Sequence, residues 1–125
     1  MNNTIENRIK EIKIENIVYL IFIIIILLGI YANNNEIDYF LNNNEDSKNN
    51  YYYTMIIIFL IVVIISSYYF YKSYIEVTNT KYLDKSKTKE YNKLNLIANG
   101  LAFLSAIIYL YIAITDTNIE VEISL

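Results

Sequence analysis

Three long apolar stretches, residues 17–32, 51–71 and 94–114, leave this chain little choice of solvent. A helix rises about 1.5 Å per residue, so roughly 20 apolar residues cross a hydrocarbon core about 30 Å thick. The second and third stretches reach that length. The first is slightly short and draws on Ile14 or its polar flanks to reach the interface. Between Ile17 and Ile30 lie about a dozen Ile, Leu, Val and Phe residues, each contributing roughly −0.3 to −0.6 kcal/mol to insertion. Together they favour the bilayer by roughly 4 to 7 kcal/mol, with no charge to offset them. A soluble chain of 125 residues would have to cover residues 23–28 on every side, which so small a core cannot do. The expected fold is therefore all-α, an integral membrane protein with three transmembrane helices.

Basic residues set the expected orientation. Arg8, Lys10 and Lys13 precede the first stretch, and only Lys48 separates the first from the second. Lys72, Lys81, Lys85, Lys87, Lys89 and Lys93 lie between the second and third, and none follows. Cytoplasmic loops keep the Lys and Arg, so the alternation predicts an N-terminus inside and a C-terminus outside.

The segments between the spans carry weaker patterns. In residues 4–15, Ile5, Ile9 and Ile12 share one helical face, Thr4 is placed to cap, and Glu6 stands four residues before Lys10. This short amphipathic helix lies on the inner leaflet, docks a partner or continues into the first span, and the last reading is the simplest. The leading segment is long and holds three glutamates, and residues 29–32 lack a small-x-small pattern, so no cleavable signal peptide is expected. Residues 33–50, rich in Asn, read as a solvated and poorly ordered outer loop in which Ile37, Tyr39, Phe40 and Leu41 dip into the interface as a short turn of helix. Tyrosines bracket the second span (Tyr51, Tyr52 and Tyr53 against Tyr68, Tyr69 and Tyr71), about 30 Å apart along a helix, as interfacial aromatic belts are. Residues 72–93 form a basic cytoplasmic loop in which Asp84 is placed to cap a helix, and Lys85, Lys89 and Lys93 make an i,i+4 stripe suited to acidic-lipid contact. Residues 115–125 form an acidic outer tail; Ile119, Val121, Ile123 and Leu125 alternate with polar residues at strand period.

The third span has the one pattern with packing content. Asn95, Asn99, Ala102, Ala106, Tyr109 and Ala113 follow at intervals of four, three, four, three and four, and Ala98, Ala102 and Ala106 form an overlapping small-residue row. Lipid tails are as apolar as Leu, so helices in a bilayer associate by close backbone approach and interhelical hydrogen bonds. Small residues permit the first and Asn supplies the second. Gly29 and the pair Ser66–Ser67 are the natural counterparts within the chain. The seam faces either those spans or another subunit, and the sequence leaves both open.

Absences narrow the chemistry. With no Cys and no His, disulfides, thiolate catalysis and a structural zinc site are excluded, and no cofactor or metal is expected. No Asp, Glu, Lys or Arg lies inside a span, which argues against a proton relay or voltage sensor. A net charge of −3, with limited aromatic interleaving such as Tyr82 and Tyr91 among the loop lysines, argues against nucleic acid. The richness in Ile, Asn, Lys and Tyr resembles the coding bias of an AT-rich bacterial genome, hence an expected place in a bacterial cytoplasmic membrane. The expected role is non-enzymatic: a small multi-pass accessory, interaction or immunity-type protein whose partners are the lipid bilayer and either a second copy or another membrane protein. The alternative is a holin-like pore former that oligomerises through the third span.

Overall fold

In lipid every backbone N–H and C=O must be satisfied within the segment, so Ile-rich runs that would suit strands in water wind into helices instead. The computed structural model describes residues 3–80 and 86–116. They form three helices, α1 (Asn3–Asn42), α2 (Glu45–Thr80) and α3 (Ser86–Thr115), and no strand occurs among them. All three are long and apolar enough to cross a membrane. At 40, 36 and 30 residues each also outruns its apolar stretch, so polar ends extend the helices beyond the expected spans. The chain contains no Pro to stop them. Asp84, Lys85 and the alternating tail from Ile119 to Leu125 lie outside the described residues.

Two compact units divide the chain, Met1–Thr54 and Met55–Leu125. In the first, α1 runs unbroken from the polar N-terminal segment through the first apolar stretch. Ile5, Ile9 and Ile12 are exposed along it. The ion pairs that form there join Arg8 to Glu11 (3.2 Å) and Glu15 (3.3 Å), because one guanidinium donates to both carboxylates; the expected Glu6–Lys10 pair is not made.

Residues 33–50 differ most from expectation. They are helix, not loop: α1 continues to Asn42 and α2 begins at Glu45, leaving a two-residue turn. Within the Asn run, Asn35 donates from its side chain to the Tyr31 carbonyl one turn back (2.9 Å). Asn43 ends α1 with φ 51°, a left-handed conformation that Asn tolerates better than most residues, while its N–H bonds the Tyr39 carbonyl (2.8 Å). Asn44 then caps α2, its Oδ1 accepting from the N–H groups of Asp46 (3.0 Å) and Ser47 (3.4 Å). Glu45 and Asp46 in the first turn of α2 complement the helix dipole.

Asp38 ties this corner together. Its carboxylate accepts from Asn42 (2.6 Å), Asn44 (3.0 Å) and the Ser47 hydroxyl. Lys48 covers the Tyr39 ring with Nζ 5.3 Å from its centre, and Asn50 donates to Asn35 (3.5 Å). These donors, Ser47 first, then Asn42 and Asn44, hold the Asp38 carboxyl below the ordinary aspartate range. A carboxyl whose pKa is lowered by folding stabilises the fold above its unfolded pKa and loses that contribution as pH falls through the folded value. The corner is therefore expected to loosen below about pH 4, read as faster amide exchange at Asn43–Lys48. Asp38→Asn should exchange fast at neutral pH and show no such acid step; an unchanged acid step in that variant would remove Asp38 from the role.

Candidate functional site

Within Met55–Leu125, α2 and α3 meet in an antiparallel pair, joined among other places at Ser73, Phe70 and Phe59 of α2. Ser73 sits at one end. Its hydroxyl donates to the Tyr69 carbonyl (2.9 Å), the back-bonding available to any helical Ser, and so presents its lone pairs to α3. There Asn99 Nδ2 donates to it, and Asn95 Nδ2 reaches it at 3.5 Å. Asn99 Nδ2 also lies 3.3 Å from Asn95 Oδ1, so the two amides and the hydroxyl form one polar cluster. Ser73 is 3 % exposed, and no buried side-chain polar atom among the described residues lacks a partner.

One helical turn further along, the rings of Phe70 and Phe103 lie 5.7 Å apart and tilted by 31°. Gly100 makes room for that ring: a Cβ there would stand 3.2 Å from Phe70 Cε1. Towards the other end Phe59 stacks on Tyr109, with centroids 5.4 Å apart and an interplanar angle of 12°. Ala106 and Ala113 are buried on the same helix, and Ile58 and Phe59 are each 2 % exposed on α2.

Every residue of the series Asn92, Leu96, Asn99, Phe103, Ala106, Leu110 and Ala113 is at least partly covered, so this is the packed face of α3. It shares Asn99, Ala106 and Ala113 with the expected seam. Asn95 and Ala102 are exposed, as is Ala98, and Tyr109 is half-buried against Phe59. The helix is turned slightly from the small-residue row because Phe103 has to enter beside Phe70, over the space that Gly100 leaves.

The counterparts also differ from expectation. Gly29 belongs to the other compact unit, and Ser67 bonds its own Ile64 carbonyl (2.7 Å). Ser73 takes the role instead. Sequence reasoning missed it by assigning residues 72–93 to a loop, whereas α2 runs on to Thr80. The signal was present: Ser73 lies two helical turns beyond Ser66, on the same face. The tyrosines depart from a simple belt as well, since Tyr51 is buried while Tyr53, Tyr68 and Tyr71 are exposed.

Of the lysine stripe, Lys89 is half-buried and Lys93 exposed; with Glu90 and Leu94 they line an open depression of ≈ 360 Å³ on α3. Among the described residues no group of three carboxylates converges as a metal ion would require. Comparison with family models, with curated proteins and with solved structures gives no match for this chain.

Proposed function

We propose that this chain is a non-catalytic accessory protein of a bacterial cytoplasmic membrane, acting by binding another membrane protein as an immunity-type protein does. Its N-terminus and the α2–α3 connection face the cytoplasm, following the Lys and Arg alternation. The observation that supports the binding role is one flank of α3: Asn95, Ala98, Ala102 and Ser105, at spacings of three, four and three, are all exposed. Small residues give up acyl contact with lipid in exchange for close backbone approach by another helix. Such a flank suits a helix better than it suits lipid.

A photo-crosslinking residue at Ala102, compared with one at Ile108 on the outer face, tests the reading in cells. The expected result is one recurrent protein adduct at position 102 that is lost with Ala98→Ile, and lipid adducts at position 108. Adducts to lipid alone at both positions would overturn it. Dye entry and loss of membrane potential on expression would replace it with the holin-like pore former.

A further inference from the structure

On the side of α3 away from the small-residue flank, Phe70 of α2 and Ile97, Gly100, Leu101, Phe103 and Leu104 of α3 enclose an open groove of ≈ 510 Å³ with only apolar walls. Gly100 has no side chain to fill its floor, and Phe70 forms its wall. Ile97, Leu101 and Leu104 stand exposed along its rim. Directly above, in the direction of the α3 N-terminus, is the depression lined by Lys89, Glu90 and Lys93. Lys89, Lys93, Ile97, Gly100 and Leu104 are spaced by four, four, three and four, which places them on one helical face. Neither lysine takes part in an ion pair among the described residues.

We propose that this face is a binding site for an anionic glycerophospholipid, with the phosphate on Lys89 and Lys93 and one acyl chain lying in the groove below. Three observations choose this occupant. The groove is apolar throughout, so it suits a hydrocarbon chain. Its mouth is basic, so it suits a head group with net negative charge over a zwitterionic one. Its depth agrees too: Lys93 to Leu104 is eleven residues, about 16 Å of helix, close to the ~15 Å depth of one hydrocarbon leaflet. Glu90 shares the mouth and sets a limit on the charge the site attracts, which is why both lysines are needed. The proposal rests on α2 and α3 spanning the bilayer, not on the identity of any protein partner.

The chain has no Trp, so a single introduced one reports without background. Ile108→Trp places it one turn beyond the groove on the same exposed face, and Ile23→Trp on α1 serves as the lipid-facing control. Each variant is reconstituted in vesicles of mixed phosphatidylglycerol and phosphatidylcholine, one of the two brominated in turn, and quenching yields the relative affinity. At Ile108→Trp the anionic lipid should be favoured over the level at Ile23→Trp by about fivefold per lysine, the equivalent of about 1 kcal/mol each. Lys89→Gln with Lys93→Gln should bring the ratio down to the control level. Lys93→Arg, which keeps the charge, should retain it, and Lys10→Gln with Lys13→Gln on α1 should leave it unchanged.

Equal quenching by both lipids at Ile108→Trp would overturn the proposal, and so would a preference that survives loss of both lysines. Quenching at Ile23→Trp but by neither lipid at Ile108→Trp would assign the groove to protein, a second copy or a partner helix. Absence of quenching at both positions would overturn the bilayer placement itself. If the double variant loses helix by circular dichroism, Lys89→Gln and Lys93→Gln are read singly, and no fall in the ratio for either sinks the site.

Discussion

Phe59→Ala is expected to destabilise the α2–α3 pair by about 2–3 kcal/mol, the largest loss available from one side chain in this unit. Phe59 is 2 % exposed and lies flat against Tyr109, so its removal takes away both a stacked partner and the volume between the helices. In water a Phe→Ala change costs about 3–5 kcal/mol, part of it transfer of the ring out of an apolar core. A bilayer removes much of the transfer part, since a ring released from the protein enters lipid. What remains is the cavity: about 100 Å³ at about 24 cal/mol per Å³ is ~2.4 kcal/mol. Reversible unfolding in mixed micelles, followed by helical signal, measures it. Phe59→Leu should recover most of the loss. If Phe59→Ala unfolds with the parent, the stacked pair does not hold the helices together.

Asn99→Leu should cost about 0.6–2 kcal/mol in the same assay. The Asn99 amide donates to the Ser73 hydroxyl and lies beside Asn95 Oδ1, so its loss leaves the polar cluster with one donor fewer at a half-buried site. The size is modest because Ser73 keeps its bond to the Tyr69 carbonyl and Asn95 remains within reach. Ser73→Ala should cost a similar amount, and the double variant Asn99→Leu/Ser73→Ala should cost less than the two losses added. Strict additivity would mean that the two side chains do not act on each other.

The two variants mark how far the primary sequence could be read. Asn99 was legible, since an amide within a span has to find a partner and its spacing from Ala106 and Ala113 repeats at helix period. Its partner was not. Ser66, Ser67 and Ser73 present the same chemistry, and only the extension of α2 to Thr80 brings Ser73 opposite Asn99. Phe103 lies outside the expected seam, and it packs because Gly100 leaves room for it beside Phe70. The turn between α1 and α2 was hidden for a different reason. Asn is common in loops and at helix ends alike, and only Asn43 and Asn44, out of a long Asn-rich run, adopt terminating conformations. The groove beneath Lys89 and Lys93 requires a ring from another helix, so no spacing within α3 could disclose it.

Length of apolar run, absence of Pro and lack of charge within the stretches were enough to determine three helices long enough to cross a bilayer. Burying apolar surface in lipid is a property of composition, which a linear chain displays openly. Which face of α3 turns inward, which serine answers Asn99 and where α1 stops were decided only in three dimensions. Lipid and protein interior are equally apolar, so hydrophobicity does not distinguish one side of a spanning helix from another. The choice falls to shape and to a few hydrogen bonds, and those depend on two helices at once.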